Sequence, residues 1–126
     1  MLRESRAFAS FSVDDLARAK EFYKDILGVD TEELPQGLRL RLNGTTAFLY
    51  AKPDHTPATF TVLNFAVESV DKAVEELTSR GVQFETFDQP HLRTDSRGIS
   101  RANGGGPTIA WFKDPAGNFL SVLEPH

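Results

Sequence analysis

An α+β fold built from two similar strand–helix–hairpin modules is what the sequence predicts, and three observations predict it. Two amphipathic helical stripes, over residues 15–28 and 69–81, each follow a short apolar or hydroxyl-rich run that reads as a strand. Each half also carries two strand-like runs around a turn sequence, Asn43-Gly44 in the first and Asp114-Pro115-Ala116-Gly117-Asn118 in the second. Residues 54 apart match in order: Phe11 with Phe65, Val13 with Val67, Leu16 with Val70, Ala19 with Ala73 and Tyr23 with Leu77.

The elements follow one by one. Residues 7–13 form an opening strand, and the Asp14-Asp15 carboxylates suit the start of a helix. Leu16, Ala19, Phe22, Tyr23, Ile26 and Leu27 fall on one stripe of that helix, which Gly28 ends. A short strand fits 29–33. Leu38-Arg39-Leu40-Arg41-Leu42 alternates strictly, Asn43-Gly44 is a strong two-residue hairpin signal, and 45–51 is the return strand. After a proline-punctuated connector at 52–57, the run 59–67 opens the second module. Ser69 caps a helix bearing Val70, Ala73, Val74 and Leu77, Gly81 follows it, and a strand is expected over 82–87. The chain is thus read as one domain, residues 1–126, with a first module over about 1–52 and a second over about 58–126.

Between the second helix and its hairpin lies an insert of about 20 residues, 88–107, polar and rich in glycine. A connection of that length is either a functional lid or disordered, and both readings stand. Its Gly104-Gly105-Gly106 run is not a phosphate loop, since no Gly-Lys-Ser/Thr follows.

Composition excludes several classes of function. With 40% hydrophobic residues the chain can bury a core, and 14 Lys plus Arg against 18 Asp plus Glu give no basic patch for nucleic acid or anionic membrane. The absence of cysteine removes disulfides, thiolate metal sites and a Cys nucleophile. No apolar stretch approaches a membrane span, so a cytoplasmic protein without nucleic-acid or membrane partners is expected.

The paired modules, the run Asp15-Leu16-Ala17-Arg18-Ala19-Lys20-Glu21-Phe22-Tyr23-Lys24-Asp25-Ile26-Leu27-Gly28, and Phe112-Lys113 leading into the Asp114-to-Asn118 turn together resemble the vicinal oxygen chelate superfamily. This is the group of glyoxalases, bleomycin-resistance proteins and extradiol dioxygenases. The resemblance covers essentially the whole chain. It implies two βαβββ modules forming a cupped mixed sheet with helices outside and a ligand inside. It also implies a divalent metal in the cup of the enzymes, frequent homodimers, and members that bind a drug without chemistry.

Strand alternation assigns the faces. With Phe11, Val13, Leu63, Phe65 and Val67 toward the helices, Phe8, Ser10, Ser12, Val62, Asn64 and Ala66 are turned to the cup. The Asn43-Gly44 turn groups Leu38, Leu40, Leu42, Ala47 and Leu49 under the helix, leaving Arg39, Arg41, Thr46, Phe48 and Tyr50 on the cup side. Carrying the hairpin glycines over, Gly44 to Gly117, adds Ala110, Phe112, Phe119, Ser121 and Leu123, while Trp111 falls on the helix side. In metal-dependent members of the resembling family, ligands come from positions at or near Phe8, Phe48, Val62 and Ser121 here. None is His, Glu, Asp or Gln, so neither a metal nor another cofactor is expected. Glu124, of opposite parity to Ser121, is expected to point away.

The expected ligand-binding set is therefore Arg39, Arg41, Phe48, Tyr50, Asn64, Phe112 and Ser121. The arginines suit a carboxylate or phosphate, the rings a flat apolar body and the amide a hydrogen bond. An equally open reading takes the arginines as solvated strand residues and the rings as core. His55, His91, Asp95 and the terminal His126 lack any metal-binding spacing, and Ser10, Ser12 and Ser121 lack a nucleophile-elbow motif. The leading expectation is a metal-free small-molecule-binding protein, forming homodimers, that holds an anionic or polar organic ligand. The alternatives are an enzyme, of lyase, isomerase or dioxygenase type, and a regulatory module. The enzyme would use His or Tyr acid–base groups or unusual metal ligands such as His55, His91 and Asp95.

Overall fold

The computed structural model describes residues 1–101 and 106–125, and the chain divides into two compact units, Met1–Thr56 and Pro57–His126. In the first, β1 (Ala9–Val13) leads into α1 (Leu16–Lys20), and β2 (Asp30–Leu34), β3 (Gly37–Leu42) and β4 (Thr45–Ala51) complete a four-stranded mixed sheet of order β1-β4-β3-β2. β1 runs parallel to β4, and the other neighbours are antiparallel. Asp15 caps α1, its carboxylate accepting from the backbone N–H of Ala17 and Arg18, as its place before the apolar stripe predicts. The hairpin register is the expected one, with Leu42 opposite Thr45 and Leu38 opposite Leu49.

The first helix departs from expectation in its second half. Instead of continuing as an α-helix it widens over Glu21–Ile26 into a π-helical segment, closed by a hydrogen bond from Leu27 N–H to the Phe22 carbonyl at 3.0 Å. Widening reduces the turn per residue, which lets the consecutive Phe22 and Tyr23 both enter the core. Their rings meet edge to face, 5.3 Å apart. With Phe11, Val13, Ala19, Leu38, Leu40, Ala47 and Leu49 they form the core under α1, all buried.

The second unit repeats the plan with β5 (Thr61–Ala66), α2 (Val70–Ser79), β6 (Asp88–Gln89), β7 (Leu92–Arg93), β8 (Ile99–Ser100), β9 (Thr108–Lys113) and β10 (Phe119–Glu124). Its main sheet has the order β5-β10-β9-β8, with β5 parallel to β10. Ser69 caps α2 as expected, accepting from Lys72 N–H. Glu124 reaches the same helix end, accepting from Val70 N–H at 2.8 Å, a carboxylate where the helix dipole favours one. Its expected direction, away from the face of Ser121, is thereby observed.

The strand expected over 82–87 is corrected. Only Phe84 bridges to β9, opposite Phe112, and hydrogen bonds between Phe87 and Thr94 then turn the chain into the insert. The insert itself supplies a small hairpin, β6 with β7, and the fourth strand of the main sheet, β8. Its residues 102–105, among them Gly104 and Gly105, and the terminal His126 lie outside the described residues.

Candidate functional site

In each module one sheet face is covered by its helix, and the other is where functional side chains gather. On the first module's open face the register aligns Ser10, Phe48, Arg39 and Glu32 across the four strands, and beside them Thr46, Arg41 and Asp30. Ser12 lies opposite Tyr50 on the same face. Arg39, Arg41, Phe48 and Tyr50 thus share one surface, as alternation predicts.

The acidic partners were not anticipated. Glu32 Oε1 accepts from Arg39 Nη1 at 2.5 Å and pairs with Arg41 Nη2 at 2.8 Å, while Asp30 Oδ2 lies 3.7 Å from Arg41 Nη1. Hydrogen bonds from Arg39, then Arg41, hold the Glu32 carboxyl below its usual pKa, and Glu32 holds the Arg41 guanidinium above its own. Two cations meet two anions, so this array is closer to neutral than the arginines alone imply. The signal was present in the alternate acids of Asp30-Thr31-Glu32, visible only once that segment is set antiparallel to β3. A second contact carried no sequence signal at all: Ser12 Oγ and His55 Nδ1 are 2.7 Å apart, 43 residues distant in sequence.

On the second module's open face Ser121 pairs across β10 and β9 with Trp111, and along β5 with Asn64. Ser121 is fully buried and its hydroxyl donates to Asn64 Oδ1 at 2.6 Å. Three face assignments are corrected, those of Ala110, Phe112 and Trp111. Phe112 lies opposite Leu120, on the helix-covered side with Ala110 and Val122, fully buried with its ring 5.4 Å from that of Phe84. Trp111 takes the open face instead, its indole N–H donating to Thr61 Oγ1 at 3.2 Å. The cause is turn length: Phe48 and its partner Arg39 are nine residues apart, Ser121 and its partner Trp111 ten. One extra residue reverses the phase of β9 relative to β3. Phe112 is therefore a core residue, not a candidate ligand contact.

The turn responsible is organised by its own polar groups. Buried Asp114 accepts from the N–H of Ala116 and Asn118, and Asn118 Oδ1 accepts from Ala58 N–H. Gly117 has φ +84°, and a Cβ there would stand 3.0 Å from the Pro57 ring. The motif is structural in origin, which explains why it marks a fold better than an activity.

The donor set bears on a metal. Of the four positions that the resemblance implies at or near the ligands of metal-dependent members, Phe8, Phe48 and Val62 have no side-chain donor atom, and the Ser121 hydroxyl is engaged with Asn64. Glu32, on the same face as Phe48 with Arg39 between them, is committed to two guanidiniums. Among the described residues no group of three or more His, Asp or Glu side chains could hold an ion. His91 is exposed within the β6–β7 turn, and Asp95 accepts from the N–H of Arg97 and of Ile99 at the start of β8. These residues do not fit the divalent ion of the metal-dependent members.

The chain belongs to the Glyoxalase/Bleomycin resistance protein/Dioxygenase superfamily, whose model matches residues 7–122. Among solved structures it is similar to TnmS3, an antibiotic binding protein from Streptomyces sp. CB03234, at 24% identity over 95% of this chain and 96% of that one, with TM-score 0.64. A glyoxalase/bleomycin resistance protein from the same organism is 25% identical over 95% of this chain and 100% of the other, TM-score 0.64. The bleomycin resistance determinant encoded on transposon Tn5 is 18% identical over 97% and 98% of the two chains, with TM-score 0.72. No curated protein matches the chain. No described helix is long and apolar enough to cross a membrane.

Proposed function

We propose that this protein binds a small organic molecule, polar or anionic, on the open sheet faces of its modules without a bound metal ion. One observation carries the reading: the first module's open face sets Phe48 and Tyr50 beside a guanidinium–carboxylate array, with Ser10 and Ser12 along its edge. Flat apolar surface next to fixed hydrogen-bonding charge suits a ligand with a ring or apolar body and polar substituents. The proposed contacts are Arg39, Arg41, Phe48 and Tyr50 there and, separately on the second module's own face, the exposed Asn64, to which the buried Ser121 hydroxyl donates. Structural neighbours named for antibiotic binding and bleomycin resistance support a holding role.

A thermal-shift screen of aromatic and aliphatic acids, run with metal analysis of protein purified without chelator, tests the proposal. A ligand at a hundredfold excess over its Kd adds about 2.7 kcal/mol of stability, enough to move the midpoint clearly. Arg39→Ala combined with Phe48→Ala abolishes that shift. A stoichiometric metal, or a shift that survives both substitutions, refutes the reading. An enzyme is the second reading, carried by the 2.7 Å contact between Ser12 and His55, which places a titratable imidazole at a hydroxyl on the same face. It requires a turnover that His55→Ala removes while ligand binding persists.

A further inference from the structure

Along the first module's hairpin end a cleft of about 640 Å³ opens between the segment leading into β1 and the β3–β4 turn, lined by Arg6, Phe8, Arg41, Thr45 and Thr46 among others. Its charge differs from that of the array beside it. Arg39 and Arg41 are balanced by Glu32 and Asp30, whereas Arg6 makes no ion pair with any described residue. One uncompensated guanidinium therefore lines a cleft shared with Arg41 and with Thr46, which lies opposite Arg41 on the open face, while Thr45 borders the cleft at the turn. Phe8 adds a ring that is 66% exposed, an unusual exposure for phenylalanine.

We propose that this cleft is an oxyanion subsite, in which Arg6 and the Thr46 hydroxyl take the carboxylate of an aromatic acid whose ring lies against Phe8. It rests on the reading that the first module's face holds a ligand, and it specifies the ligand's charged end. Arg6 supplies a forked donor set free of internal competition, which Arg39 does not. The Thr46 hydroxyl donates to the oxyanion, which only accepts. Sequence reasoning placed Phe8 and Thr46 on this face but gave no role to Arg6, which precedes the first strand.

The test is a nitrogen-15 amide NMR titration of the intact chain with benzoate, acetate, inorganic phosphate and benzyl alcohol. Benzoate is expected to shift the amides of residues 6–8 and 44–46, and benzyl alcohol to leave them in place. Arg6→Ala weakens benzoate roughly five- to tenfold while Arg6→Lys keeps part of the affinity, because a guanidinium–carboxylate pair is lost in one case and replaced by a point charge in the other. Phe8→Ala weakens benzoate but not acetate or phosphate. Benzoate binding that is unchanged in Arg6→Ala, or shifts confined to the amides around Phe48, Tyr50, Asn64 and Ser121, overturns the subsite and leaves the broader ligand-binding reading intact. Silence at residues 6–8 and 44–46 up to about 10 mM benzoate, an affinity too weak to matter, also overturns it.

Discussion

Arg39 and Arg41 show what single residues reveal and what they hide. Their shared face was legible because strict alternation in a hairpin of known turn length leaves one answer. Their chemistry was not, because Glu32 sits on a strand too polar to announce itself, and a guanidinium bound to a carboxylate is a poorer ligand trap than a free one. Glu32→Gln is therefore expected to raise the affinity of the intact protein for benzoate roughly three- to tenfold at neutral pH, since charge-assisted hydrogen bonds are released for the ligand. An unchanged affinity in calorimetric titration would show that the arginines take no part in binding. The same pairing sets a pH dependence. A carboxyl whose folded pKa is depressed adds stability above its unfolded pKa and loses it as pH falls through the folded value. Ser121 and Asn64, both assigned to the cup face from alternation, are found joined by a direct hydrogen bond that the sequence did not announce.

The two helices, both hairpins and the extra strand at 30–34 were readable from periodicity, caps and turn residues. The π-helical widening was not, because an apolar stripe with one-residue irregularity reads as a plain amphipathic helix. The close approach at Gly37 was equally silent: a Cβ there would stand 2.1 Å from the Leu49 carbonyl oxygen and 2.9 Å from Phe48 Cζ. Gly37→Ala is expected to destabilise the protein by about 1–3 kcal/mol in urea unfolding, because β3 and the Phe48 ring must both give way. Wild-type stability in that variant would mean β3 is free to shift. In the second module, the insert is fastened to α2. Asp71 pairs with Arg97 and with Arg101, which also reaches Asp95. The Arg101 hydrogen bonds chiefly, with Arg97 assisting, lower the Asp71 pKa to about 2. Folded below unfolded means the contribution is complete above the usual carboxylate value near 3.8 and disappears as pH falls towards 2. The stability gap between wild type and Asp71→Asn should accordingly be present at pH 6 and closed near pH 2; a gap that persists in acid would assign it to packing. Hydrogen exchange of amides 95–101 should quicken in the same variant.

At the scale of the molecule, the duplicated module and the superfamily were legible, and the family model over 7–122 agrees. The turn motif and helix run carry that information because each answers a local structural demand. What escaped was the difference between the halves: the insert's contribution of β8, the reduction of 82–87 to one bridge, and the exchange of Trp111 for Phe112. Repeats predict their likenesses well and their departures poorly: the insert's place at 88–107 was legible, but the strands it forms have no counterpart in the other half to announce them. The homodimer implied by the family resemblance stands as a proposal, for which light scattering in solution should return twice the 14.0 kDa chain mass; a chain of single mass at tens of micromolar rejects it. The odd-length connection at 114–118 has one more implication. In most of the molecule a change of ligand chemistry demands substitution of side chains, but here the deletion of one residue would turn β9 inside out, trading an indole for a phenyl ring without altering any remaining codon. For proteins assembled from this module, length variation in a turn is therefore a route to new specificity that comparison by residue identity alone will overlook.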